Sequence, residues 1–311
     1  MELTRDNYYS VEADREYMSC SLYQQFCKCE AAAIAKLERR YQPSSSEALI
    51  VGNYFHTAME SPEAHEEFCQ EHFDDIYKYT IDKKSGDVIV KGKYAPYEHA
   101  DRMIEVCRRD PLMKHYIDMP GENEAIMTGE LFGMKWKIRL DKYIEGKRLI
   151  IDYKTCADIN KTEYNAVTGK RESFVEAMGY MMRAAVYTEI EKQFVDSDKD
   201  ANFVILAVSK QDPPDKAAML LNHRQRYDFE LEQIEKRSAR IMSVLMKRVK
   251  PRRCGACEYC RGTKMLKKLI PYYTLNPDFR DEREEEYDEI FEGEGYGCVR
   301  DMEEAQVQGR L

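Results

Sequence analysis

The chain has 311 residues, 43% of them apolar and 34% charged, enough for one large domain or two small ones around a sizeable core. No apolar run approaches the roughly 20 residues of a membrane span, and the N-terminus lacks the basic and apolar blocks of a signal peptide, so a cytoplasmic location is expected. A net charge of −9 argues against a generic nucleic-acid coat protein, although a basic groove can coexist with an acidic surface.

Residues 19–41, SCSLYQQFCKCEAAAIAKLERRY, predict a capped helix with an alanine-rich face. After a PSSSEA loop, EALIVGNYFHTAMES has helical spacing, with His56 in its middle. Residues 62–80 predict another helix and DKKSGD a turn. Residues 95–117 predict an amphipathic helix broken near Pro111. The period then changes. AIMTGELFGMKWKIRLDKYI alternates as strands do, EGK makes a tight turn, and RLIIDYKT is a second strand. FVEAMGYMMRAAVYTEIEKQF predicts a helix, ANFVILAVSK an apolar strand bounded by QDPPD, and 227–249 a long charged helix. Residues 276–311 form a strongly acidic tail, expected to be solvated or loosely ordered. The order implies an α/β fold with a central sheet flanked by helices.

The apolar run Leu149–Ile151 leads straight into Asp152 and Lys154. These lie two apart on a strand, so both point to one face. Asp141 lies on the neighbouring strand, and Glu130 at the start of that strand. Buried charges are costly unless paired or bound to a metal. The pattern fits either a surface hairpin with an Asp152–Lys154 salt bridge or a hard-cation site of convergent carboxylates suited to Mg2+ or Mn2+. Such a cation would activate water and polarise a phosphoryl oxygen, with Lys154 stabilising charge.

Among ten cysteines, only Cys254, Cys257 and Cys260 show ligand spacing, C-x2-C-x2-C. They fit zinc, three corners of a [4Fe–4S] cluster, or a thiol-rich turn with no metal. Cys20, Cys27, Cys69, Cys107, Cys156 and Cys298 show none. Arg252, Arg253, Arg261, Lys264, Lys267 and Lys268 flank the motif as a basic patch that could follow a DNA backbone or simply be solvated.

RLD…LIIDYKT resembles the core of the PD-(D/E)XK nuclease superfamily, and Gly52 with His56 resembles the helix preceding that core in its RecB-like branch. MTGELFGMKWKIRLD, GYMMRAAVYTEI and RCGACEYCRGTKML resemble phage and prophage relatives of the RecE exonuclease (exonuclease VIII). The resemblance implies a restriction-endonuclease-like core with a central mixed sheet flanked by helices. A nuclease domain would span 1–275, with a helical part at 1–120, the core at 121–250 and a Cys-rich segment at 251–275. Asp141, Asp152 and His56 would be metal ligands and Lys154 the catalytic lysine. Glu130 would be a ligand or base. Tyr187 matches the tyrosine of the branch's Q-x-x-x-Y motif, with Arg183 in place of its glutamine. Arg183, Tyr187, Lys137 and Arg139 would face DNA, though Tyr187 also fits a core position. Similarity to AddB-type nucleases implies Cys29, with Cys27 as alternative, as a fourth ligand for an iron–sulfur cluster, zinc being the less favoured metal.

The implied activity is Mg2+- or Mn2+-dependent exonucleolysis of duplex DNA ends in the bacterial host cytoplasm. A phage single-strand annealing protein would take the single-stranded product, a homo-oligomer is compatible, and no membrane is involved. Two other readings stand beside it: an inactive nuclease fold that binds DNA or protein, for instance in counter-defence, and an iron–sulfur DNA-binding protein.

Overall fold

The structure is a computed structural model that describes residues 1–43, 47–165, 170–266, 269 and 272. Two units divide after Cys254: Met1–Cys254 and Gly255–Leu311. Lys267, Lys268, Cys298, the acidic tail and the expected boundary at 275 lie outside the described residues.

In the first unit, Ser10 caps α1 (Val11–Glu16) and Ser19 caps α2 (Cys20–Lys28), each accepting a backbone N–H three residues on. The single helix expected over 19–41 is two. Cys29 is extended at φ −164°, and α3 (Glu30–Leu37) begins after it. The reason lies at the break: Ala31 N–H donates to the Arg252 carbonyl, and the Glu30 carboxylate takes both Arg240 and the Arg252 N–H. α4 (Glu47–Glu60) follows. Ser61 and Pro62 start α5 (Pro62–Glu71), which leads to α6 (Phe73–Ile76). The helix expected to reach residue 80 stops at Ile76. Aromatic and β-branched residues there form β1 (Tyr77–Ile81), paired antiparallel with β2 (Val88–Lys93) across the DKKSGD turn. α7 (Ala95–Arg109) and α8 (Pro111–Asp118) meet at Asp110, whose carboxylate caps the second.

The alternating run expected over 125–144 divides at Phe132 and Gly133 into β3 (Glu122–Leu131) and β4 (Met134–Ile144), and the expected strand RLIIDYKT is β5 (Leu149–Cys156), after a 3₁₀ turn at Glu145–Lys147. The small hairpin of β6 (Thr162–Asn165) and β7 (Lys170–Ser173) is not apparent in the sequence pattern. α9 (Phe174–Ala177) and α10 (Tyr180–Phe194) replace the single helix expected from 174, because Gly179 turns left-handed at φ +72° between them. β8 (Asn202–Ser209) is the expected apolar strand. β9 (Lys216–Leu221) adds an edge, and α11 (Arg224–Leu245) starts at a His223 cap.

The sheet order is β3-β4-β5-β8-β9, antiparallel except for β5 beside β8. That parallel pair needs the long crossover that α10 supplies. One apolar layer packs α2, α10 and α11 against Trp136, Ile138, Ile150 and Phe203. The other packs α4 and α7 against Leu149, Ile151, Tyr153 and Leu206. β5 is therefore covered on both faces, which is why its apolar run does not alternate with polar residues. No helix among the described residues is long and apolar enough to cross a membrane. The second unit contains α12 (Glu258–Gly262).

Candidate active site

β4 and β5 are paired for only three positions, ending at Lys142↔Ile151. Past that point β5 continues with β8 alone, through Asp152, Tyr153 and Lys154. The N–H of Tyr153 has lost its strand partner, and the Asp141 carboxylate accepts it at 2.7 Å. Asp141 thus closes the ladder where the two strands part, and a buried backbone donor is satisfied by a side chain.

The ammonium of Lys154 fills the resulting gap. It lies 2.7 Å from Asp152, 3.4 Å from Asp141, and donates to the Tyr153 carbonyl at 2.9 Å. Arg183 on α10 reaches within 4.0 Å of the other Asp152 oxygen and donates to the Tyr187 hydroxyl. Tyr187 is buried and donates to the Arg139 carbonyl at 3.2 Å, which ties α10 to β4.

On the α4 side, His56 Nδ1 stands 3.6 Å from Asp141. Glu124 completes a group of three. One ligand atom each from His56, Glu124 and Asp141 lies within 4.8 Å of the others. The β3–β4 register runs through Asn123↔Lys142 and Ala125↔Leu140, which sets Glu124 across from Asp141. Like charges facing each other across strands are destabilising. Arg139 offsets part of this by pairing with Glu124 at 2.5 Å.

Electrostatics follow from burial and these neighbours. Desolvation pulls the His56 pKa down while Asp141 pulls it up, and burial favours the neutral imidazole whose nitrogen lone pair can bind a cation. Burial works against ionisation of Asp141, yet His56, Lys154 and the Tyr153 N–H together hold its carboxyl below the usual range. Burial first, and then Asp141, push Glu124 up to about 7. Lys154 resists the same desolvation because Asp141 and Asp152 hold its proton. One neutral imidazole and two carboxylates make a hard N/O donor set that suits a divalent cation such as Mg2+ or Mn2+.

The profile of a PDDEXK-like domain of unknown function (DUF3799) matches residues 19–263. The chain belongs to the PDDEXK-like DUF3799 family. A crystal structure of a candidate exonuclease from Eubacterium rectale is similar to this DUF3799 chain at 33% identity, over 89% of this chain and 99% of that one, with a TM-score of 0.76. A structure of SSO0001 aligns at 14% identity over 77% of this chain and 91% of the other, with a TM-score of 0.29. No curated protein matches significantly. The five-stranded mixed sheet flanked by helices is the restriction-endonuclease-like α/β core of the PD-(D/E)XK superfamily.

In this DUF3799 chain His56, Asp141, Asp152, Lys154, Arg183 and Tyr187 come together at the splayed end of β4 and β5, and Arg139 borders them through Glu124. Two expectations are corrected. Glu130 is exposed at the far end of β3, opposite Lys135, with its backbone tied to Gln193. Glu124 occupies the place near Asp141 instead. Lys137 is 1% exposed and paired with Asp14 at 2.7 Å, so it does not face solvent. The Asp152 carboxylate, the third expected ligand, stands beside this group, 2.7 Å from Lys154.

The cysteines fall in both units. In the first, the Cys29 and Cys254 sulfurs lie within 4.8 Å of each other. In the second, Cys257 and Cys260 are as close, and Cys257 Sγ accepts the Cys260 N–H at 3.4 Å. Cys27 instead receives Arg237 at 3.2 Å. Of the basic patch, Arg261 turns back onto the Ala256 carbonyl.

Proposed function

We propose that the chain is a Mg2+- or Mn2+-dependent DNA exonuclease that hydrolyses phosphodiester bonds at duplex ends. The observation that supports it most is the convergence of His56, Glu124 and Asp141 donor atoms beside the Lys154 ammonium. A cation held there would polarise a phosphoryl oxygen and lower the pKa of water. His56 would hold the cation as a neutral imidazole, and Asp141 and Glu124 would hold it as carboxylates. Lys154 offers positive charge to a scissile phosphate as its negative charge develops. Asp152 would be a further ligand to that cation, and it also keeps the lysine protonated. Arg183, braced by Tyr187, supplies a second cationic group with the planar donor geometry that phosphates favour. Specificity for ends draws support from the likeness to the Eubacterium rectale protein, itself named as an exonuclease candidate.

The test is a labelled linear duplex and a covalently closed circle incubated with Mg2+, Mn2+ or EDTA. Stepwise loss of the linear substrate alone is expected, abolished in His56→Ala. Equal attack on the circle would make the enzyme an endonuclease. No cleavage of either DNA would favour the inactive binding module.

The RecE resemblance extends the proposal to phage recombination, with a single-strand annealing protein receiving the product strand and a homo-oligomer as the working form. Cys29, Cys254, Cys257 and Cys260 are assigned to one metal centre, a [4Fe–4S] cluster ahead of zinc. The close pair in each unit and the C-x2-C-x2-C spacing support this. Iron, sulfide and zinc content of anaerobically purified protein, compared with Cys29→Ala, tests it. Neither metal in stoichiometric amount would defeat the assignment.

A further inference from the structure

The ribbon of β1 and β2 forms a two-stranded sheet of its own. An isolated two-stranded ribbon is marginal in water. Nearly all of its residues beyond Tyr77 are solvent-exposed, on both faces. Its root, by contrast, is firmly built. Tyr94 N–H donates to the carbonyl of fully buried Ile76. Lys93 donates to Asp101 and to the Tyr54 hydroxyl, both at 2.7 Å, and that hydroxyl donates to Asp101 at 2.6 Å. Tyr54 lies on α4, two residues before His56. The helix that carries a proposed metal ligand therefore also anchors the ribbon.

The ribbon is positively charged in a chain of −9, with five lysines at 78, 83, 84, 91 and 93 against Asp82 and Asp87. Lys78, Lys83, Lys84 and Lys91 are exposed, and none forms an ion pair among the described residues. Lys83 and Lys84 sit on an ordered tip. Asp82 accepts the Lys84 and Ser85 N–H groups at 2.7 and 3.0 Å, and Gly86 closes the turn at φ +78°. On one face the cross-strand pairs Tyr79↔Val90 and Ile81↔Val88 present apolar surface, with Ile81 60% and Val88 53% exposed.

We infer that this ribbon is a DNA-binding arm that grips duplex on the approach to the active site. Its choice of partner rests on the nuclease reading, but its chemistry stands apart from cleavage. Unpaired lysines on both strands and the tip complement phosphates, and binding would release counterions. A major groove about 12 Å wide admits a two-stranded ribbon, where exposed aliphatic side chains can meet thymine methyl groups. A second copy of the chain is a poorer fit. Five partly exposed apolar side chains, split between two faces, fall well short of the roughly 800 Å² per partner in a stable interface, and facing lysines would repel.

The test is anisotropy of a labelled duplex with the full-length protein in EDTA, where no cleavage occurs. Replacing Lys78, Lys83, Lys84 and Lys91 together by alanine should weaken binding at least tenfold at about 100 mM salt. The slope of log Kd against log salt should become shallower by about 0.9 for each phosphate that is no longer neutralised. With Mg2+, the variant should hydrolyse a small phosphodiester at the wild-type rate while slowing on long duplex. Unchanged affinity and salt slope would overturn the inference, as would a wild type that binds no duplex. So would unaltered DNA binding in the lysine variant combined with loss of a dimer in Ile81→Ser/Val88→Ser, which would make the ribbon an interface between copies. Ribbon-dependent binding by a wild type that cleaves nothing would sink the nuclease reading and leave the arm standing.

Discussion

Glu124→Gln is the sharpest probe of whether the buried carboxylates are arranged for a cation. Glu124 is mostly buried and faces Asp141 across the β3–β4 ladder, and its carboxyl is raised from 4.5 to about 7. That shift corresponds to about 3 kcal/mol of differential interaction between its two protonation states. The folded pKa is the higher one, so the protonated form contributes stability that is fully present below about 4.5. This contribution is lost as pH rises through about 7. In EDTA, the stability of wild type relative to Glu124→Gln should therefore fall by about 3 kcal/mol between pH 4.5 and pH 8. A constant offset is also expected, because the amide packs differently from the carboxyl beside Arg139. The pH dependence, not the offset, carries the information. With Mg2+ present the decline should shrink, because the cation binds the ionised carboxylate, and the variant should gain little from the metal. Urea unfolding at several pH values, with and without Mg2+, measures all four curves. Parallel wild-type and variant curves in EDTA would refute the reasoning, as would equal stabilisation of both proteins by Mg2+.

Asp141→Ala should unfold more easily than Asp141→Asn by about 1–3 kcal/mol, because only asparagine can still accept the Tyr153 N–H; thermal melts of the two variants compare them. Lys154→Ala should lower cleavage by at least a hundredfold while calorimetry still detects divalent-cation binding, since an ammonium cannot ligate a cation and His56, Glu124 and Asp141 remain in place. Glu130→Ala should cleave at the wild-type rate, because its side chain is exposed at the far end of β3; a large loss in the same assay would restore it to the site.

The sheet and its flanking helices are legible in the sequence because period and apolar content change together at residue 125. Asp152 and Lys154 stand out because charge follows directly on a doubly buried strand. Glu124 does not stand out. Its position depends on the register of β3 against β4, and nothing local marks that register. Glu130 shares the strand, but six residues of extended chain span about 20 Å. Lys137 misleads for another reason. Alternation along β4 gives it the face of Lys135 and Arg139, and the pattern cannot reveal that Asp14 and Tyr8 cover it. The β1–β2 ribbon escapes a helical reading of 62–80 because its pairing lies across the DKKSGD turn, beyond the window in which helical spacing is judged.

The splayed end of β4 and β5 also sets when the site can exist during synthesis. His56 emerges early and Lys154 about a hundred residues later, yet β5 past Ile151 has its strand partner in β8 alone, which begins at Asn202. Until that strand has been made and paired, Asp152 and Lys154 sit on an unsupported segment, and contacts this distant in sequence form late. A partly made chain would carry every one of these donor residues and still lack their arrangement. On the proposed reading, competence to cleave DNA is in this way a property of the finished fold, and a truncated product ending before β8 would lack it.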